Sequence, residues 1–496
     1  MWWSAPEASF DARAKVVVVG SGAGGAFVAL TLAEAGVDVL LLEDGAPYLH
    51  DPLDQGECLA EHYMEGGFRV ADGTPTLPVT GGRALGGSTI VNSALCFRTP
   101  DERIDEWNEL SGDALDVAHW KQTQHAIEAV MRVAETPDAL LSGNDRIQRD
   151  AARALGWKEG NLRRNAPACT GCGRCNQGCT VAGKNSVDRE ILPRAAAAGA
   201  RITTGCRVQR VRTGRVEGVL RNGAPFSVSA DAVVLCAGAI ATPTLLHDSG
   251  VVDAEKGVGE GLRVQPVVSV LGYFPNRQVF APGATQGHWI DEFVHDDIVI
   301  EANPTFASAL AALPFHGAEL AEVCASAHHI ANTGLLVRDR TRGRVGPSSS
   351  GRASIAYDLV EEDRARFARA LEIGARLWFE GAGAEWVVLS LFGRSRFTDM
   401  GQVRARLADL EAGRLVLYSS HPQASCGLGR VTDRDGQLLE VPGVYCMDAS
   451  VLPSNVGRNP QISVMTMARV LSERLAVQLG GTPVPLVHLP PPADPG

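Results

Sequence analysis

The chain has no excess of positive charge. Its 496 residues carry 46 Lys and Arg against 57 Asp and Glu, a formal net charge of −11. That balance argues against a nucleic-acid partner and against docking on anionic lipid, both of which recruit basic surface. No uninterrupted apolar run reaches the length that crosses a bilayer. The first residues, MWWSAPEASFDARAK, have neither the basic start nor the apolar stretch of a secretory signal. The expectation is a soluble cytoplasmic protein. No internal repeat is present. Cysteine is sparse and odd in number, 11 in all, which in a reducing compartment means free thiols rather than a disulfide framework. What is abundant is glycine, 54 residues, and its placement carries information.

The length implies roughly two to three domains with ample core. Lys15–Val19 is a β-branched run ending in glycine, the pattern of a fully buried parallel strand. Helical spacing follows from Ala26 to Ala35 and stops at Gly36; a second apolar run, Val37–Leu42, ends at Glu43. This is a β–α–β opening. Residues 46–80 look irregular, and 100–165 read as helices, with Ala126, Val130 and Val133 at helical spacing. From Arg201 to Cys236 the period changes to two, predicting a small strand meander that feeds a buried strand. Strand-like runs recur at Val267–Tyr273, Ile298–Ala302 and Ala353–Tyr357, and a helix is expected over Glu361–Gly381. The predicted organisation is an α/β, Rossmann-like dinucleotide-binding domain made of 1–265 and 411–485, with a helical insertion (100–165) and a Cys-rich loop (165–195). A second, substrate-side domain spans 266–410, and a disordered tail covers 486–496.

Gly20-Ser21-Gly22-Ala23-Gly24-Gly25 lies between the first strand and its helix. Gly20 permits the tight turn, Gly22 lets backbone N–H groups approach a pyrophosphate, and Gly25 allows close packing of helix on strand. The helix N-terminus adds partial positive charge for the phosphates. Glu43 stands where an acid accepts hydrogen bonds from the adenosine ribose, and it would repel a 2′-phosphate. The loop alone does not separate FAD from NAD.

Near the C-terminus, His421-Pro422 and Asn459-Pro460 flank an apolar run that ends at Asp448. Alcohol oxidation removes a hydroxyl proton and a carbon-bound hydride. A histidine takes the proton at neutral pH, and an amide holds the oxygen without competing for it. The bland alternatives are a core histidine and a turn asparagine.

Two further strings connect these pieces: Gly82–Asn92, glycine-rich, and Gly238–Gly250. Together with the first loop and the His421–Pro460 segment, in this order, they resemble the glucose–methanol–choline (GMC) family of FAD-dependent oxidoreductases over most of the chain. In the first signature Cys96 stands where the family usually has an aromatic residue or Ala, with Phe97 one place on. The resemblance implies a substrate domain built on an antiparallel sheet flanked by helices. It implies FAD held by Gly20, Gly22, Ala23, Gly24, Gly25, Glu43, Gly86, Gly87, Ser88, Asn92, Val208, Asp448, Ala449, Asn459 and Pro460. It matches His421 and Asn459 to the catalytic pair. The implied reaction is oxidation of an alcohol, hydrophobic (long-chain or sterol-like) by analogy with neighbouring branches, with oxygen, a quinone or a redox protein as electron acceptor. The alternatives are a family lyase that keeps FAD without net redox chemistry, and a non-catalytic flavin-binding redox protein.

Cys169, Cys172, Cys175 and Cys179 repeat the spacing of a bacterial ferredoxin run, but Thr180 follows where that run has Pro. One reading is an iron–sulfur centre on Cys169, Cys172 and Cys175 with a further ligand, Cys179 being a candidate, or a vacant corner. The other is a Gly-rich loop with free thiols or one disulfide. Zinc is disfavoured because the two close pairs lack a loop between them.

Overall fold

The computed structural model describes residues 1–48, 55–252, 257–303, 315–349 and 351–486. The expected tail therefore lies almost wholly outside the described residues.

The opening unit forms as its pattern dictates. Strand Phe10–Val19 runs into helix Ala23–Glu34 and returns as strand Val39–Leu42. Val16, Val17 and Val18 are fully buried, each contributing about 1.5–3 kcal/mol of apolar burial. Phe10–Val19 sits mid-sheet, paired in parallel with Val39–Leu42 on one side and with Pro225–Leu235 on the other. Val444–Cys446 continues the parallel set beside the end of Pro225–Leu235. The expected meander exists as Cys206–Arg212, Arg215–Leu220 and Pro225–Leu235, antiparallel in succession. Arg201–Thr203 departs from it and instead extends the parallel edge beside Val39–Leu42. The chain crosses over between Phe10–Val19 and Pro225–Leu235, so Gly20 and Gly238 open onto one crevice at the strand ends, the usual place for a dinucleotide. Helix Gln461–Gln478, almost wholly buried, packs on Ala23–Glu34 and on Val117–Val130.

A second sheet of seven antiparallel strands runs in the order Arg396–Phe397, Trp386–Leu389, Val267–Tyr273, Ile330–Val337, Ile298–Ala302, His288–Ile290, Glu159–Asn161. Strands Val267–Tyr273 and Ile298–Ala302 have the predicted bounds, and Arg352–Ala356 lies one residue from its prediction. Helix Glu361–Arg376 packs on this sheet and runs on as a π turn over Leu377–Gly381, covering the predicted length.

Two expectations need correction. The stretch 100–165 is not helical throughout: after Asp101–Ser111, Val117–Val130 and Gly143–Ala154, Gly156 (φ +68°) ends the last helix, and Glu159–Asn161 becomes an edge strand of the second sheet. Its partner, His288–Ile290, lies far along the chain, and no local pattern announces the pairing. Residues 46–80 include a helix, Gln55–His62, which buries only Cys58 and His62 and so leaves almost no apolar period to read. Two main cores result. One gathers the parallel sheet with residues 104–131 and 426–476. The other gathers residues 71–79, 147–152 and 262–417 around the antiparallel sheet.

Candidate active site

One cavity of about 1090 Å³ runs from the first glycine loop to the antiparallel sheet. At its dinucleotide end the glycines are there for space. A Cβ on Gly24 would lie 2.3 Å from the Met447 carbonyl oxygen, and one on Gly25 would lie 1.9 Å from that of Gly20. Gly20 itself has φ +99°. The two glycine loops face each other: a Cβ on Gly87 would come within 2.7 Å of Gly22 Cα. Helix Ala23–Glu34 begins after Gly22 with no side-chain cap, which leaves its first N–H groups free for an anion.

Glu43, expected to meet the ribose, lines the cavity and is itself held by three hydrogen bonds. Its Oε2 accepts from the Ser21 N–H (2.8 Å) and the Ser21 hydroxyl (2.6 Å), and its Oε1 from the Gly45 N–H (2.7 Å). The Ser21 Oγ in turn accepts from the Gly86 N–H at 2.9 Å. The acid thus braces both glycine loops through Ser21, a residue missed in the sequence because a small hydroxyl between glycines reads as spacer. Burial pushes the Glu43 carboxyl up, against the lowering effect of these donors.

Asp448 does the same at the other edge. It accepts from the Gly238 N–H (2.7 Å), the Thr242 hydroxyl (2.6 Å) and the Ser450 N–H (2.7 Å), joining the Gly238–Gly250 string to the C-terminal segment. Val208, Ala449, Ser88, Asn92 and Pro460 also line the cavity. Ser88 Oγ accepts from the Gly82 N–H at 2.9 Å, and Asn92 donates to Gln461 at 2.9 Å. This cradle fits FAD: backbone N–H groups, a free helix start and close-approach glycines at one end, and a partly open, mainly apolar chamber at the other.

In that chamber His421 and Asn459, 38 positions apart in the chain, line one wall space. His421 Nδ1 and Asn459 Oδ1 are buried without a hydrogen-bond partner among the described residues. Burial alone lowers His421 from 6.5 to about 4, so the ring is neutral at pH 7. The antiparallel sheet adds Glu301, buried and facing the same space, with Oε1 unpartnered and Oε2 accepting from Gln286 at 3.0 Å. Gln286 also donates to Asn303 (2.9 Å), which donates to the Tyr418 hydroxyl (2.8 Å). Glu301 was not foreseen, because an acid inside an apolar strand carries no motif. His288, by contrast, is a core histidine held between Gln148 and Glu159.

The Cys-rich loop, whose spacing suggested an iron–sulfur centre, is held in this structure by contacts from the protein itself. No disulfide joins its cysteines, and among the described residues no group of three or more His, Cys, Asp or Glu side chains is placed to hold a metal ion. Arg164 instead occupies the centre, donating to Cys175 Sγ (3.1 Å) and Cys169 Sγ (3.5 Å). Burial alone would raise the Cys175 thiol, but Arg164 and Lys184 outweigh it and hold the thiol below its ordinary value. Lys184, fully buried, donates to the carbonyls of Ile90 (2.6 Å), Asn92 (2.8 Å) and Cys175 (3.3 Å). The loop is a strut: it fixes the second glycine loop and offers Gly173, Arg174, Asn176 and Gln177 to the cavity wall.

Residues 59–267 and 339–468 match the two family models described as GMC oxidoreductase. An uncharacterised GMC-type oxidoreductase of Mycobacterium tuberculosis is 36% identical over 491 residues, 95% of this chain and 77% of the relative. A long-chain-alcohol oxidase of Arabidopsis thaliana is 28% identical over 517 residues, covering 94% and 68%. Among solved structures, an Aspergillus oryzae formate oxidase in which FAD modification was followed superposes with a TM-score of 0.69 at 14% identity, covering 94% of this chain and 99% of that one. No helix among the described residues is long and apolar enough to cross a membrane. The fold, the paired glycine loops and these matches agree, and the chain belongs to the GMC oxidoreductase family, whose cofactor is FAD.

Proposed function

We propose that the protein oxidises the CH–OH group of a hydrophobic alcohol to a carbonyl, with His421 and Asn459 as the catalytic pair. The observation that carries this reading is that His421 and Asn459, each half-buried, line the same cavity as the dinucleotide cradle. Bound FAD would supply the hydride acceptor. Gly20, Gly22, Ala23 and Gly24 would hold its pyrophosphate with Gly87 and Ser88, while Gly25 and Gly86, which do not line the cavity, set the packing behind them. Val208 would meet the adenine, Asp448 and Ala449 the ribityl side, and Asn92, Asn459 and Pro460 the ring.

The chain's own groups do the rest. His421 is neutral at pH 7 and therefore an acceptor. Nδ1 is sealed in the wall, so the ring would meet a substrate hydroxyl through Nε2. Asn459 completes the hydrogen bonding of the same oxygen. Leu95, Val267, Leu271, Leu336, Val416 and Leu417 face the cavity, which favours an apolar chain on the alcohol and excludes water from the reacting centre. The alcohol oxidase relative supports oxygen as the electron acceptor.

The test is anaerobic stopped-flow reduction of the flavin by a series of primary alcohols of rising chain length. Reduction should strengthen with chain length, and His421→Ala should bind FAD yet slow reduction by about 10²–10⁴-fold, the usual worth of a general base. Wild-type flavin that stays oxidised with every alcohol would overturn the assignment.

A further inference from the structure

We propose that Arg69 is an oxyanion-binding group of this cavity, placed to take a phosphate of FAD. The inference rests on the cavity and its cofactor, not on the reaction proposed above.

Arg69 precedes strand Val70–Ala71, which pairs with Leu77–Pro78 in a short hairpin. The Val79 N–H donates to the Arg69 carbonyl at 2.8 Å, and Arg69 Nε donates back to the Val79 carbonyl at 3.1 Å. The hairpin is fastened to the segment that leads to His421. There the Ser419 N–H donates to the Pro78 carbonyl (2.9 Å), and the Thr80 N–H donates to the Ser419 carbonyl (2.8 Å). Arg69 is only 6% exposed, yet it lines the cavity. Nη1 and Nη2 have no hydrogen-bond partner among the described residues, and unlike His421 Nδ1 neither is sealed in the wall. No acid pairs with the guanidinium among the described residues. Glu65, the one acid whose charge reaches it, is drawn to Arg352 at 3.8 Å. Two other cations line the cavity, Arg174 and Arg207. Both are exposed, and Arg207 already pairs with Asp44 at 3.4 Å.

Burial lowers Arg69 only to about 10, so it keeps its charge at pH 7. A buried cation with no acid destabilises the fold, and Met would fill the space without that penalty. What the guanidinium supplies is a planar fork of donors that matches two oxygens of a phosphate or a carboxylate. Its position favours the phosphate. A Cβ on Gly81 would lie 2.9 Å from Arg69 Nη2 and 3.8 Å from Ser88 Oγ, so glycine there leaves the guanidinium room beside the second glycine loop. That loop meets the first at Gly22, where helix Ala23–Glu34 starts with its N–H groups free for the same anion. The other source of an oxyanion is a carboxylate carried by the substrate.

The test uses the full chain freed of flavin, as wild type, R69Q and R69K, with FAD and riboflavin as ligands and flavin fluorescence as the readout. Gln at this position can still donate to the Val79 carbonyl. R69Q should bind FAD at least about 10-fold more weakly than wild type. It should bind riboflavin, which has no phosphate, as wild type does. R69K, which keeps the charge and loses the fork, should recover part of the FAD affinity. If R69Q keeps wild-type affinity for FAD, decanoate binding to the FAD-loaded forms separates the sources: a loss of at least about 10-fold in R69Q assigns the oxyanion to the substrate. R69Q that binds FAD, riboflavin and decanoate as wild type does overturns the inference. So does an equal loss of FAD and riboflavin, which marks a residue that only shapes the fold. If R69Q does not fold, R69K decides by the same comparison, and wild-type affinity for both FAD and decanoate overturns the inference. None of these readouts needs turnover, so a flavin that no alcohol reduces would defeat the alcohol reading and leave this one standing.

Discussion

The opposed titrations of Glu301 and His421 make a stability prediction that needs no substrate. Glu301 is raised from 4.5 to about 7 in the folded protein. Between those values the native state binds a proton that the unfolded chain has released, so stability falls as pH rises. At 1.36 kcal/mol per unit, the loss is about 3 kcal/mol by pH 8. His421 is lowered from 6.5 to about 4. Between those values the unfolded chain binds the proton and the native state does not, so stability rises with pH by a similar amount, about 3 kcal/mol. In the wild type the two slopes nearly cancel, and each variant exposes the other. E301Q should match wild type near pH 4 and exceed it by about 3 kcal/mol at pH 8. H421N should match wild type at pH 7 and exceed it by about 3 kcal/mol near pH 4. The assay is urea unfolding at four pH values and constant ionic strength, followed by tryptophan fluorescence and flavin release together, since a free energy is defined only where the probes coincide. Differences from wild type remove every other titration. If the E301Q difference stays constant within about 0.5 kcal/mol from pH 4 to 8, Glu301 is not the desolvated acid described above, and the argument from burial fails.

Two further outcomes follow from the cradle. Gly25→Ala places a Cβ 1.9 Å from the Gly20 carbonyl oxygen, which only backbone displacement relieves; purified protein should lose flavin, with FAD affinity at least about 10-fold weaker, a loss of ~1.4 kcal/mol. Lys184→Met leaves the Ile90, Asn92 and Cys175 carbonyls without their donor and should lower stability by about 2–5 kcal/mol. It should also loosen the second glycine loop, read as faster amide hydrogen exchange over residues 86–92; unchanged exchange there would mean the Cys-rich loop is no strut.

Much of the fold was legible because its pieces are local. Four consecutive valines before Gly20, a helix stopping at Gly36 and an apolar return to Glu43 have one economical reading, and strands Val267–Tyr273 and Ile298–Ala302 show in their own composition. The cavity likewise brings together His421 and Asn459, which the sequence had singled out. Other features were not legible, since their cause lies across the chain. Glu159–Asn161 is a strand only because His288–Ile290 pairs with it. The ferredoxin-like cysteine spacing is real, but Arg164 stands among the thiols, and among the described residues no group of three or more His, Cys, Asp or Glu is placed to hold a metal ion.

The sequence by itself determined the dinucleotide frame, because a β–α–β turn with glycines at fixed offsets is set by backbone sterics within about twenty-five residues. Only the tertiary structure decided the charges in the chamber. Whether Glu43 braces a loop, whether His421 is neutral, and whether Glu301 holds its proton near pH 7 depend on which groups distant in the chain exclude water from them. Desolvation is a property of the packed interior, and no single segment contains it.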